Sequence, residues 1–202
     1  MEEKKEVILE QAQKIFMRYG IKSVTMDDIS RELKISKKTL YRFVTDKNDL
    51  VAQVMQAHVN TDQYVVKEMI QKSKNAIEEI MAISEYAGAM VGQLHPSIHY
   101  DMEKYYPEAW EIFMKHKQQF VHGCMSENMT RGIKEGLYRS DLNVSIVSLI
   151  YVSRIDIVFD GQLFPPGEYN FKDVFTEMIH YHLRGIASEK GMKYLNENFS
   201  KK

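Results

Sequence analysis

The sequence predicts an all-α protein, on three observations. Proline and glycine are scarce, at four and ten in 202 residues, while Leu, Ile, Met, Glu, Lys and Gln recur throughout, so the composition favours helices over a turn-rich sheet protein. Apolar residues return at helical spacing in one segment after another, and residues that cap or stop helices stand between the segments. At 44% hydrophobic and 27% charged, the chain is long enough to bury one large domain, or a small one joined to a larger.

The elements follow in order. Ile8, Ala12, Ile15, Phe16 and Tyr19 fall on one face of a helix over 7–19, and Gly20 stops it as a C′ residue. Thr25 precedes Met26-Asp27-Asp28, where a hydroxyl accepts from orphan amides and acids meet the positive end of the helix dipole. This second helix carries Ile29 and Leu33 inward. Lys34-Ile35-Ser36 forms a turn, and Ser36 caps a third helix, Lys37 to Phe43. Asp46 caps a long fourth helix with Leu50, Val54, Ala57, His58, Val65, Val66 and Ile70 at near-helical period. Asn75-Ala76-Ile77-Glu78 has the form of a capping box for a fifth helix, to about Gln93.

Pro96 marks a break, and a short helix from Ser97 to Lys104 follows. Pro107 suits the first position of a long helix running to Gly136. Asn143 caps Val144 to about Val158, a loop rich in turn formers occupies 160–167, and the last main helix spans about Phe171 to Ala187. The Lys201-Lys202 end is expected to fray.

A formal net charge of −1 hides how charge is placed. Residues 31–47 hold Arg31, Lys34, Lys37, Lys38, Arg42 and Lys47 against Glu32 and Asp46, a local balance of +4. Cys124 is the single cysteine, so no intramolecular disulfide forms, and it reads as a small buried side chain in a reducing compartment. The N-terminus has no apolar signal region, and no apolar run approaches the ~18 residues of a membrane span. A cytoplasmic protein with no membrane partner is expected.

A helix, a three-residue turn and a second helix opening on lysines make the geometry that seats the second helix in a DNA major groove. Lys37 and Lys38 reach base acceptors or phosphates, Thr39 offers a short hydroxyl, Tyr41 and Arg42 donate to backbone oxygens, and Leu40 points inward. On charge alone such a run is a solvated helix face.

The stretch Thr25-Met26-Asp27-Asp28-Ile29, then Ile35 through Val44, then Asp46-Lys47-Asn48-Asp49-Leu50 resembles the N-terminal signature of the tetracycline-repressor (TetR) family, over roughly residues 5–52. The resemblance implies that Lys37, Lys38, Thr39 and Tyr41 face an operator, that Thr25 touches the sugar-phosphate chain, and that Lys47 clamps a phosphate, with Arg42 as an added contact. Lys34 stands where the family often has a turn glycine, and Val44 where a phenylalanine is common. The phrase Arg131-Gly132-Ile133-Lys134-Glu135-Gly136-Leu137-Tyr138-Arg139 is similar to one often seen before the family's dimerisation helices.

The implied layout is a three-helix DNA-binding head, residues 1–48, and a ligand-sensing and dimerisation domain, 49–202. Helices near 143–158 and 171–187 would pair with their copies through Val147, Ile150, Tyr151, Ile155, Val174, Met178, His182 and Ile186 or some subset of these. Met81, Tyr86, Met90, Trp110, Phe113, Met114, Phe120 and Met125 are flexible or flat apolar side chains suited to a small hydrophobic ligand, although such residues are more often ordinary core.

Seven histidines invite a metal reading, but Pro96 interrupts His95 and His99, His116 and His122 do not share a helix face, and no cysteine or carboxylate accompanies His180 and His182 as structural zinc requires. No nucleophile elbow or glycine-rich phosphate loop points to catalysis. The expectation is therefore no enzyme, no cofactor and no metal, but a ligand-responsive repressor acting as a homodimer on double-stranded, palindromic operator DNA. The alternatives are an activator, an orphan regulator without an effector, or a helical ligand-carrier or protein-interaction module.

Overall fold

The computed structural model describes residues 2–199. The helices are α1 (Glu2–Tyr19), α2 (Met26–Glu32), α3 (Lys37–Leu40), α4 (Lys47–Lys72), α5 (Ala76–Val91), α6 (Ile98–Tyr105), α7 (Pro107–Lys115), α8 (His122–Lys134), α9 (Val144–Arg154), α10 (Phe171–Ile186) and α11 (Glu189–Phe199). A π-helical stretch, His116–Val121, joins α7 to α8, and a 3-10 turn, Asp156–Phe159, follows α9. No strand occurs among the described residues, so the expected all-α class is the observed one. The Lys201-Lys202 end lies outside the described residues.

Packing divides the chain into two compact units: residues up to Gln63 with Gln93–His116, and Tyr64–Gly92 with residues from Lys117 onward. The core of the first unit joins Ile8, Ala12, Phe16, Ile29, Leu40 and Leu50 to Ile98, Met102, Tyr106 and Ala109. The packing boundary therefore differs from a cut after residue 48. α6 and α7 are too short to bury their apolar faces alone, and they complete the head's core. Gly20 is the stop that the pattern predicts, at φ +79°, with its amide donating to the Phe16 carbonyl at 2.8 Å. A Cβ there would lie 2.6 Å from Ser97 Oγ, and the His95 amide donates to the Met17 carbonyl at 2.9 Å, sealing the approach to α6 onto the end of α1. Tyr19, expected inward, is 49% exposed because the last turn of α1 outruns the core.

Lys34 takes φ +53° in the turn, the left-handed region that a glycine would occupy without strain. Lys34→Gly removes an αL cost of about 1–2 kcal/mol and adds about 0.5–1 kcal/mol of backbone entropy loss on folding. A rise of up to about 1.5 kcal/mol is expected by urea denaturation; a fall would mean that the lysine side chain contributes more than its backbone costs.

In the second unit, α5 begins on Asn75, whose side chain accepts from the Ile77 and Glu78 amides at 3.0 Å each. Glu78 reaches back to the Lys74 amide at 3.2 Å, one residue outside the capping box predicted for it. The phrase Arg131 to Arg139 holds this helix start in place. Arg131 donates to Glu79 at 2.9 Å, to Glu135 at 2.7 Å and to the Ser73 carbonyl at 3.1 Å. Glu135 also takes the Ala76 amide at 2.8 Å, Asn128 donates to the Ala76 carbonyl at 2.9 Å, and the buried Tyr138 hydroxyl lies 3.0 Å from Asn128 Oδ1.

Two elements departed from the pattern. The helix predicted as continuous from Pro107 to Gly136 is interrupted by the π-helical stretch, whose hydrogen bonds run i to i+5; Met125 is buried, while Val121 and Cys124 are only partly so. α11 was not anticipated, because Gly191 and Leu195 are its only buried positions among the described residues and the rest reads as polar tail. It is capped by Ser188, which accepts from the Gly191 amide at 3.1 Å.

The outward faces of α9 and α10 are rotated from the expected set. Tyr151, His182 and Ile186 are buried within the unit, and Val147, Ile155, Val174 and Met178 are partly covered. Of the expected set Ile150 is exposed, at 42%, and the rest of the exposed apolar face of α9 is Ile146 and Leu149, at 54% and 56%, while Tyr181 of α10 is 70% exposed. A helix that is apolar on nearly every side offers two faces, and periodicity does not say which one its own subunit takes. His182, its ring centroid 4.9 Å from that of Tyr151, is kept neutral by burial, its pKa pushed down to about 4.

Candidate nucleic-acid interface

The head presents α2, the Leu33–Ser36 turn and α3. α2 opens on a reciprocal cap: Thr25 Oγ1 accepts from the Asp28 amide at 3.2 Å, while Asp28 Oδ2 takes the Thr25 amide at 2.9 Å and its hydroxyl at 2.6 Å. These bonds from Thr25 hold the Asp28 carboxyl below its ordinary range. α3 is a single α-turn, its cap Ser36 accepting from the Thr39 amide at 3.0 Å. Bonds from Arg42 to the Thr39 carbonyl and from Phe43 to the Leu40 carbonyl continue it as tighter turns, so the helix predicted to Phe43 is helical in path but α only to Leu40. Leu40 is fully buried, as expected, and it fixes which side of the turn faces outward.

The seven residues expected to meet DNA fall into two groups. Lys38, Tyr41 and Arg42 are exposed on or just beyond α3. The other four have partners within the head. Lys37 Nζ lies 2.5 Å from Asp27 Oδ1 across the turn, Thr25 gives its proton to Asp28, and Thr39 Oγ1 lies 2.8 Å from Ser36 Oγ. Lys47 is half-buried, with Nζ donating to the Lys22 carbonyl at 3.3 Å and standing 5.6 Å from the centroid of the Tyr106 ring. Burial pushes its pKa down, against the opposing pull of Asp101 and Asp28. These four are thus each held in place by a partner within the head. The Asp27 partner went unseen in the sequence because the two residues meet only once the turn is folded. The loop before α4 is pinned by Asp49, which takes the Thr45 amide at 2.7 Å and the Gln53 side chain at 2.8 Å.

The candidate ligand-contacting residues are distributed over both units. Trp110, Phe113 and Met114 belong to the first unit, with His99 edge-on to Trp110 at 4.9 Å. Met81, Tyr86, Met90, Phe120 and Met125 belong to the second. Met81 alone of the eight lines a surface depression there, with His180, Leu183, Arg184, Leu195 and Phe199. The histidine pairs also part company: His116 meets Asp62 at 3.0 Å and His122 meets Ser148 Oγ at 3.0 Å. No cluster of three or more His, Cys, Asp or Glu side chains able to hold a metal occurs among the described residues.

A capped helix, a tight turn and an exposed basic helix start on a packed three-helix head define a helix-turn-helix DNA-binding protein. Residues 8–54 match the family model described as bacterial regulatory proteins, tetR family. The HTH-type transcriptional regulator YvaF of Bacillus subtilis (strain 168) is 22% identical over 174 residues, 83% of this chain and 88% of its own. A TetR-family regulator from Agrobacterium tumefaciens shares the fold with a TM-score of 0.75 at 14% identity, over 93% of this chain and 99% of that one. A transcriptional regulator from Saccharomonospora viridis, solved in complex with choline, gives 0.74 at 15% identity over 94% and 100%. The chain thus carries a tetR-family helix-turn-helix region over residues 8–54 and shares the fold of solved transcriptional regulators.

Proposed function

We propose that the protein is a ligand-responsive repressor that binds a near-palindromic operator as a homodimer in the cytoplasm, with residues 1–48 carrying DNA recognition and 49–202 sensing and dimerisation. The observation that carries the DNA contact set is the exposed trio Lys38, Tyr41 and Arg42, backed by the buried Leu40. Lys37, Thr39, Thr25 and Lys47 join it, the lysines through the donors that their partners in the head leave over. Two heads would enter successive major grooves, about 34–36 Å apart. If both subunits together neutralise ~6–8 phosphates, log affinity falls with log salt at a slope of about −5 to −7.

The exposed face of Ile146, Leu149 and Ile150 supports the homodimer, since uncovered apolar side chains side by side on one helix mark an association surface. Ligand response is supported by the family layout and by a neighbour solved with choline. The lever would be α4, whose residues 47–63 fall in the first unit and 64–72 in the second. A ligand shifts DNA affinity only as far as it binds the two conformations unequally.

Tyr41→Ala is expected to stay folded and dimeric while losing operator affinity by tenfold or more, a change of roughly 1.4 kcal/mol, read by fluorescence anisotropy on a duplex selected from a randomised library. Unchanged affinity would return Tyr41 to an incidental surface position. Leu149→Glu is expected to yield monomers by sedimentation, and a dimer of unaltered strength would remove α9 from the interface.

A further inference from the structure

Within the first unit, a second basic surface adjoins the helix-turn-helix and lies outside every residue assigned to it above. Lys22 Nζ donates to Tyr105 Oη at 3.0 Å and stands 4.4 Å from the centroid of that ring. Lys104 Nζ donates to Tyr100 Oη at 2.6 Å and stands 5.1 Å and 5.5 Å from the Tyr100 and Tyr105 rings. The two rings meet edge to face, with centroids 6.3 Å apart. Two ammonium groups are thus held against one pair of tyrosines, in an arrangement that fixes cations at low entropic cost while leaving them in solvent.

The array is joined to the DNA-binding edge by direct bonds. Lys22 lies three residues before Thr25, the cap of α2, and its carbonyl accepts from Lys47. The Lys22 amide donates to Asp101 Oδ2 at 3.0 Å, and Ser97 Oγ donates to the same oxygen at 3.0 Å. Asp101 is only 4% exposed, and its carboxylate fastens α6 to the head from beneath while its charge draws on Lys22 and Lys47. Glu103 is the exposed acid of α6, one helical step of about 100° from Lys104.

Fixed ammonium groups and phenol hydroxyls, without an apolar centre, suit a row of phosphates better than an apolar partner, because phosphate contacts need charge and donors but no base edge. We propose that Lys22, Lys104 and the tyrosines beside them grip the phosphate backbone of the duplex flanking the operator, so that α6 lengthens the footprint beyond the helix-turn-helix. The proposal rests on the operator-binding reading above.

The test uses the full chain with a duplex selected from a randomised library, presented trimmed to its protected core and with about ten further base pairs, one helical turn, on each side. The wild type is expected to bind the longer duplex more tightly. On that duplex, Lys22→Ala/Lys104→Ala is expected to lose the advantage, with the salt slope shallower by about 1 for each lysine contact removed, while binding to the trimmed duplex stays within about twofold of wild type, a change smaller than a single phosphate contact makes. Lys193→Ala, which removes one lysine charge on α11, serves as the control and is expected to leave both duplexes unaffected. Equal slopes for the wild type and the double variant on the longer duplex would overturn the α6 contact while leaving the helix-turn-helix intact. Failure of the wild type to select any duplex would overturn the underlying reading, and this proposal with it.

Discussion

Arg131→Met is expected to destabilise the second unit by about 2–4 kcal/mol, the largest single loss expected from a change of charge in this chain. Removing one member of a buried ion pair leaves the other charged and without its partner, at a cost of about 3–5 kcal/mol when both are enclosed. Glu79 is 3% exposed, but the Arg131 side chain keeps 34% of its surface, so solvent screening lowers the figure. The loss also spreads, because Arg131 ties Glu135 and the Ser73 carbonyl to the same point, next to the start of α5.

The effect carries its own pH dependence. Burial raises the Glu79 pKa even in the intact protein, with Arg131 opposing the shift. A carboxyl whose folded pKa lies above its unfolded value costs stability as pH rises from the unfolded value through the folded one, since the folded state holds its proton longer. Without Arg131 that pKa rises further. The deficit of the variant, measured by urea denaturation, should therefore shrink as pH is lowered toward the carboxylate range, and Glu79→Gln in the same chain should recover part of it. A deficit that is constant with pH would mean that packing of the arginine stem, not its charge, holds the α5 start.

Gly132→Ala is expected to cost about 2–4 kcal/mol, at or above the upper part of the usual range for overpacking. A Cβ at Gly132 would lie 2.0 Å from the Tyr138 ring carbon Cδ2 and 2.3 Å from Cε2. The ring cannot retreat cheaply, being 2% exposed with its hydroxyl between Asn128 Oδ1 and the Ala76 carbonyl. For a chain of this length, ~3 kcal/mol lowers the midpoint by roughly 6–12 °C, which differential scanning calorimetry resolves. Combining it with Tyr138→Leu should give less than the sum of the two single losses; strict additivity would show that the two positions do not press on each other.

These two residues show how far the sequence could be read. Arg131, Gly132 and Tyr138 stood out as part of a family-like phrase, yet no spacing rule said that the glycine makes room for a tyrosine six residues on, or that the arginine serves a helix start more than fifty residues earlier. The proposed DNA-binding surface divides in the same way. Ser36 as a cap, Leu40 inward and Lys38 outward follow from local chemistry and helical period alone. The latching of Lys37 to Asp27, and of Lys47 to the Lys22 carbonyl, required the folded turn.

The chain's letters determined by themselves whatever depends on neighbours within about four positions: helical class, the caps at Thr25, Ser36 and Asn75, and the stop at Gly20. Tertiary structure alone decided which of two apolar faces a helix turns inward, as at α9, and that α6 completes the head's core. It also decided that a polar-looking tail becomes α11. Such choices are made by burial between segments distant in sequence, and a one-dimensional period carries the angle of a face but not the identity of the surface that covers it.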